Sequence, residues 1–147
     1  MTTPSSAKRP FTKKKYSDFI AGLTLQSIWL CELSFTNEYG FEKPNEVPVN
    51  ISVLGRWDID EAKFVAQSRY EVMMKADSED SSPPAIEIIA IFSASFDSKV
   101  QPNEAMLEEF THSNLPVFTW PYMRQLFADL LARTGWDTFT LPTITRL

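Results

Sequence analysis

The sequence predicts an α+β protein in which a four-stranded antiparallel sheet is followed by one long helix. Apolar residues recur at every second position in four segments between residues 27 and 96, a spacing typical of strands that bury one face. After Pro102 the apolar spacing changes to three and four residues, which predicts helices. Because the strands precede the helices, an antiparallel sheet is favoured over a parallel α/β arrangement. The 147 residues fit a single domain with one core.

The charge is unevenly distributed along a chain of otherwise globular composition. Hydrophobic residues make up 44% of the chain and charged residues 22%, which argues against a disordered protein. The first fifteen residues contain five bases and no acid, so the rest of the chain has nine bases against 19 acids. An acidic body of this kind argues against nucleic acid as a partner. We therefore expect a disordered basic tail over residues 1–15 and a folded domain over residues 16–147.

The first two strands are predicted from alternation in residues 27–35 and 49–54. In the first, the drier set of side chains is expected to face the core, and this set comprises Trp29, Cys31, Leu33 and Phe35. In the second, Val49, Ile51 and Val53 form the apolar set. Residues 57–60, with the sequence W-D-I-D, are expected to turn the chain toward the third strand.

The third and fourth strands are predicted over residues 64–74 and 85–96, separated by a loop of sequence D-S-E-D-S-S-P-P. The fourth strand has the strongest pattern, with isoleucine and phenylalanine on one face and Ile89 and Ile91 on the other. Apolar residues on both faces indicate a central strand that is covered twice, or one that faces a partner.

Two helices are predicted after the strands. A short amphipathic turn or helix opens at Pro102 and Asn103, and Asn114 is a plausible N-cap of the longer one. Pro121 lies inside the longer pattern, where it should remove a hydrogen bond or start a new segment, and Gly135 suits the end of the helix. Residues 115–131 carry two apolar rows, one through Phe118, Tyr122, Leu126 and Leu130 and the other through Met123, Phe127 and Leu131. Two rows are wider than the roughly 100° stripe that one sheet face needs.

Side chains for catalysis or metal binding are sparse. The only histidine is His112 and the only cysteine is Cys31, and no motif supports a nucleophile–base pair between them. Zinc sites need about four Cys or His ligands. Phosphate-binding glycine loops and G-x-S-x-G elbows are missing from the sequence. We therefore expect a binding protein with no enzyme activity, no cofactor and no metal; an enzyme or a small-molecule-binding α+β protein is the alternative.

The compartment follows from three observations. One cysteine excludes an intramolecular disulfide, and the N-terminus has no apolar signal segment. The most apolar stretch, residues 115–131, is interrupted by Arg124, Gln125 and Asp129, so a membrane span is not expected. A cytosolic location is therefore predicted.

The late segment N-L-P-V-F-T-W-P-Y-M-R-Q-L-F-A-D-L-L-A-R-T-G-W-D-T-F-T-L-P resembles the main helix of SecB, the family of protein-export chaperones. The matching element is an aromatic-Pro-Tyr-x-Arg motif at the helix start, followed by a small residue and a later Leu and Pro. Here these are Trp120, Pro121, Tyr122, Arg124, Gly135, Leu141 and Pro142. Leu33-Ser34-Phe35 and Tyr70-Glu71-Val72 resemble the family's first-strand and third-strand motifs in the same order. The resemblance covers about residues 26–145.

The resemblance implies a homotetramer, a dimer of dimers, that holds unfolded polypeptides ready for translocation. One apolar row of the long helix would serve the protomer sheet and the other a partner protomer. The implied oligomer interface comprises Phe118, Tyr122, Met123, Leu126, Phe127 and Leu130. The implied client-binding residues are Tyr39, Phe41 and Val47 in the first loop and Trp136, Phe139, Leu141 and Ile144 near the C-terminus. Grooves of this kind accept extended apolar segments without reading their sequence.

Two departures from the SecB pattern leave alternatives open. The family's C-terminal helix has no counterpart before Leu147. Of the acidic residues that dock the translocase motor SecA, Glu32 matches the first, whereas Thr36 and Ile89 stand where others are expected. SecA is therefore one candidate partner. The alternatives are a chaperone dedicated to a single client such as an antitoxin, and an oligomeric adaptor without general chaperone activity.

Overall fold

The computed structural model describes residues 11–38, 49–61, 63–75 and 84–135. In chain order the elements are α1 (Lys13–Ala21), β1 (Leu23–Asn37), β2 (Val49–Asp60), β3 (Lys63–Lys75), β4 (Pro84–Ser98), α2 (Glu104–Ser113) and α3 (Leu115–Ala132). The four strands form one antiparallel sheet in the order β1-β4-β3-β2. This confirms the predicted sheet followed by a long helix.

The helices pack on one face of the sheet, which we call the covered face; the other is the open face. Every second residue of the two central strands is buried on the covered face. One cluster joins these residues to α3 through Trp120, Met123, Phe127 and Leu131. A second joins them to the other helices through Phe19 of α1 and Phe110 of α2. The core is therefore one layer of helices on one sheet.

β1 departs from the predicted alternation because it contains two β-bulges. The register shifts between Leu25 and Ser27 and again between Leu30 and Glu32. Each extra residue moves the following side chains to the other face. The prediction that Trp29, Cys31, Leu33 and Phe35 share the core-facing side is therefore wrong. Phe35 and Ile28 pack against the core, whereas Trp29 lies on the open face, and Trp29 and Leu33 are 42% and 43% exposed.

The predicted turn at residues 57–60 is also wrong, because β2 continues to Asp60. Trp57 pairs with Ala66 and Ile59 with Phe64, so both extend the apolar alternation. The chain reverses just after Asp60, where Glu61 adopts a φ of 56°. The W-D-I-D segment is a strand whose apolar side chains face the helices.

α1 begins at Lys13, within the predicted tail, and sequence reasoning did not identify it as a helix. Thr12 caps its first turn by accepting a hydrogen bond from the Lys15 amide. Phe19 is fully buried and contacts Phe64 and Phe110. The last residues of the predicted tail are thus helical, while residues 1–10 lie outside the described part.

α2 and α3 follow the predictions closely. Asn103 caps α2 through a hydrogen bond from the Met106 amide to its side-chain oxygen.

Asn114 occupies the N-cap position of α3, but its side chain accepts a hydrogen bond from the Tyr16 hydroxyl instead of an α3 amide. α3 runs through Pro121 without a break. The missing proline N–H leaves the Val117 carbonyl without its helical donor, and because Val117 is exposed, water can take that place. Gly135 has a φ of 81° just beyond the helix, as expected for a left-handed exit.

Candidate functional site

α3 divides its apolar side chains between the sheet and solvent. Met123, Phe127 and Leu131 form one row that is buried against the central strands, together with Trp120. In the other row Phe118 is 36% and Tyr122 50% exposed, and Leu126 and Leu130 are half-buried. The helix thus carries apolar surface that its own protomer leaves accessible.

A buried hydroxyl chain fixes how α3 sits on the sheet. The Thr119 hydroxyl donates to Ser68 Oγ at 3.0 Å, so the Tyr70 hydroxyl, 2.6 Å away, is the donor to Thr119. All three residues are fully buried. Burial raises the pKa of Tyr70 above its ordinary value, and the hydrogen bonds with Thr119 and Ser68 lower it by less. The phenol therefore stays protonated and links β3 to the first turns of α3.

The accessible α3 row continues onto β1, and together they form what we call the β1–α3 surface. It comprises Leu25, Leu30 and Leu33 of β1 and Phe118 and Tyr122 of α3. Leu25 pairs with Phe96, which contacts Phe118 with ring centroids 5.4 Å apart. Leu30 pairs with Phe92, which contacts Tyr122 with centroids 6.3 Å apart. Each of the five residues is at least 36% exposed, and none is charged. Neighbouring exposed apolar residues of this kind mark interaction sites.

A cavity of about 350 Å³ lies at the α1 end of the β1–α3 surface. Ile20 of α1 and Val117 of α3 line it, together with Leu25 and Phe118. No charged side chain contributes to this lining. The surface is therefore a shallow groove that suits an apolar side chain.

The predicted oligomer-interface residues fall into two groups. Phe118, Tyr122, Leu126 and Leu130 form the accessible row, where a partner could reach them. Met123 and Phe127 are fully buried in the protomer core and contribute to it instead. Sequence periodicity found both rows, but it did not identify Leu25 and Leu30. The second bulge, which leaves no signal in the sequence, brings Leu30 to the covered face, and Leu25 lies before residue 27, where the predicted strand begins.

The predicted client-binding residues lie outside the described residues. These are Tyr39, Phe41, Val47, Trp136, Phe139, Leu141 and Ile144. Glu32, the predicted docking residue, is exposed on the open face beside the second bulge of β1.

Cys31 and His112 are not brought together. Cys31 contacts Ser93 on the open face, whereas His112 is exposed on α2, which packs on the covered face. Cys31 is exposed, so the expectation that its side chain faces the core is wrong.

Within the described ranges, no group of three or more His, Cys, Asp or Glu is placed to hold a metal ion. No helix in the same ranges is long and apolar enough to cross a membrane.

Comparison with solved structures gives the fold. The chain is similar to the Mycobacterium tuberculosis Rv1957 SecB-like chaperone, solved in complex with a ChAD peptide from the Rv1956 HigA1 antitoxin. The TM-score is 0.73 at 18% identity, over 85% of this chain and 93% of that one. This chain has the SecB-like fold. No protein-family model and no curated protein matches the sequence.

The SecB-like fold agrees with the arrangement of elements described above. Its sheet presents one covered and one open face, and its long helix, α3, presents one row to the sheet and one to the outside. The resemblance seen in the W-P-Y-x-R motif therefore identified the fold correctly. The motif lies where α3 crosses the sheet: Trp120 is buried against Tyr70, while Tyr122 points to the accessible side.

Proposed function

We propose that this protein is a non-enzymatic molecular chaperone that binds non-native polypeptide segments and assembles through apolar surface left open by the single protomer. The observation that carries the proposal is the β1–α3 surface. Its five residues are exposed although they belong to the side of the sheet that holds the core. Leaving leucine and aromatic side chains in water costs free energy that binding or assembly recovers.

Assembly is proposed to use this surface first. β1 is an edge strand, so its outer backbone groups have no strand partner among the described residues. A second copy packed against Phe118, Tyr122, Leu126 and Leu130 would bury the accessible row of α3. The homotetramer expected from the resemblance, a dimer of dimers, would need a second and different interface on each protomer.

Client binding is proposed at two aromatic segments that lie outside the described residues. One contains Tyr39, Phe41 and Val47; the other contains Trp136, Phe139, Leu141 and Ile144. The first segment leads directly into β2 and the second directly follows Gly135 beyond α3. Several weak apolar sites on one oligomer would add through effective concentration.

The proposal has two versions, which differ in the clients that the chaperone would bind. The structural neighbour was solved with an antitoxin peptide, which supports a chaperone dedicated to one such client. A general chaperone for export would instead bind many unfolded proteins and dock on SecA, to which the exposed Glu32 could contribute.

The test is aggregation of a chemically denatured test protein, followed by light scattering. We expect full-length protein to suppress aggregation when its oligomer is sub-stoichiometric to the test protein. Phe41→Ala with Phe139→Ala should remove most of the suppression, while Val100→Ser, at a 38% exposed valine outside the β1–α3 surface, should retain it. Unchanged aggregation with the wild-type protein would contradict the general version. A dedicated chaperone would then have to bind its own antitoxin peptide in a titration, and failure there as well would remove the proposed function.

A further inference from the structure

α1 is a short helix whose first turn carries charges of the unfavourable sign. It has 9 residues, fewer than the roughly 12 that an isolated helix needs to be even marginally stable in water. Lys13, Lys14 and Lys15 are exposed at its N-terminal end, where the helix dipole favours acids. No acid among the described residues forms an ion pair with them. The helix is therefore held in place by its contacts with the rest of the protein.

Those contacts are concentrated on one aromatic ring. Phe19 is the buried residue of α1, and its ring centroid lies 6.0 Å from those of Phe64 in β3 and Phe110 in α2. A hydrogen bond from the Tyr16 hydroxyl to the Asn114 side chain adds a polar contact. The main anchor of α1 is thus a phenylalanine that fills a slot between the sheet and α2.

The floor of this slot is built without α1. Phe64, Phe96 and Phe110 contact one another, with ring centroids 5.2, 5.6 and 5.1 Å apart. All three side chains are buried, and they belong to β3, β4 and α2. Because these elements hold the rings, the slot would keep its shape if α1 moved away. Aromatic walls of this kind accept another ring edge-to-face or offset.

The slot adjoins the cavity of about 350 Å³ at the end of the β1–α3 surface. Phe110 contacts Phe19 and also lines that cavity, and Ile20 of α1 forms one of its walls. Phe118, at the other side of the cavity, belongs to the β1–α3 surface. Displacement of α1 would therefore join the slot, the cavity and the β1–α3 surface into one apolar trough.

We propose that α1 is a removable cover, and that an aromatic side chain of a non-native polypeptide takes the place of Phe19 when α1 lifts. This inference rests on the proposed chaperone function, to which it adds a binding site and a class of side chain. A bound ring recovers the burial that Phe19 loses, so the exchange of one ring for the other requires little net free energy. The apparent affinity for the client follows the fraction of molecules in which α1 is open.

Substitutions in the first turn of α1 can change that fraction in both directions without altering the slot. Thr12→Ala removes the N-cap hydrogen bond from the Lys15 amide, so α1 should open more often. Lys15→Glu places an acid three residues after the capping threonine, which is the capping-box arrangement, so α1 should open less often. Arg133→Glu, at an exposed arginine just after α3, is the matched control for the change in charge.

The test uses full-length protein and an uncharged serine–glycine peptide that contains one phenylalanine and one benzoylphenylalanine, a photo-crosslinking aromatic residue. The peptide carries an uncharged dye, and fluorescence anisotropy measures its affinity. Thr12→Ala should bind it about fivefold more tightly than the wild type, and Lys15→Glu about threefold or more weakly. Arg133→Glu should bind it as the wild type does. Illumination should give cross-links near Phe64 and Phe110, and the amides of α1 should exchange hydrogen faster when the peptide is bound.

Three results would overturn the inference: equal affinities of all four proteins, cross-links that avoid β3 and α2, or unchanged hydrogen exchange in α1. Absence of peptide binding even by Thr12→Ala would do so as well. Each of these results is compatible with the proposed function if the protein still suppresses aggregation, because clients would then bind elsewhere. The proposed function itself is decided by the aggregation and antitoxin-peptide experiments, so the two failures can be told apart.

Discussion

At the scale of single residues, the hydroxyl chain of Tyr70, Thr119 and Ser68 is the most specific contact between the sheet and α3. Tyr70→Phe should lower the free energy of unfolding by about 1 kcal/mol, because it removes one hydrogen bond and leaves the Thr119 oxygen without its donor. Thr119 still donates to Ser68 in this variant, so the loss should be no larger. Urea denaturation of the two proteins measures the difference; a loss of several kcal/mol would contradict this account.

The same residue gives a pH prediction. Burial raises the pKa of Tyr70 above 10.0, its ordinary value, so the folded state favours the neutral phenol. The contribution of this preference is complete below about pH 10 and is lost as the pH rises from there toward the raised pKa, since the unfolded chain ionises first. Wild-type stability should thus fall more steeply above pH 10 than that of Tyr70→Phe. Parallel alkaline slopes in the two proteins would show that Tyr70 makes no such contribution.

Gly55 shows a close approach between a strand and a helix. A Cβ atom at this position would lie 3.1 Å from both the Cβ and the carbonyl oxygen of Thr111 in α2. Thr111 cannot easily move, because its hydroxyl donates to the carbonyls of the preceding turn at 2.9 Å. Gly55→Ala should therefore destabilise the protein by about 1–2 kcal/mol. Ser52→Ala, an exposed position on the same strand, is the control and should change stability by less than about 0.5 kcal/mol in the same denaturation experiment.

At the scale of elements, the alternation of apolar residues predicts a strand correctly where the pairing is regular. β2 pairs with β3 without a register shift, and β3 pairs with β4 without one from Lys63 to Met74, so their core faces follow from the sequence. β1 does not, because the position of a bulge depends on the neighbouring strand and on where the backbone must bend, and not on the local residue pattern. The same cause hid Leu30 of the candidate site, whereas Leu25 was missed because the predicted strand began at residue 27. The client segments predicted from the resemblance remain predictions.

α1 was missed because three consecutive lysines dominate its first turn and suggest a solvated tail. Its signal is the spacing of Tyr16, Phe19 and Ile20 after a capping threonine, which is short but helical. Phe19→Ala should cost about 3–5 kcal/mol, because its ring is fully buried against Phe64 and Phe110. Phe11→Ala, at a half-buried ring that stacks on Tyr16, should cost less. Equal and small losses would mean that α1 is not part of the cooperative core.

At the scale of the whole molecule, the open question is what lies against the β1–α3 surface in solution. If copies of the chain bury it, folding and assembly are linked, and the melting temperature should rise with protein concentration. Leu30→Glu with Tyr122→Glu should abolish that dependence and give a monomer by sedimentation equilibrium, because the charges face a partner and not the protomer core. Both side chains are exposed, at 41% and 50%, so the monomer should stay folded, with unchanged far-ultraviolet circular dichroism. Leu54→Glu, an equally drastic change on the open face, should leave assembly intact. A wild-type protein that sediments as a monomer, with a melting temperature independent of concentration, would show that assembly does not cover this surface.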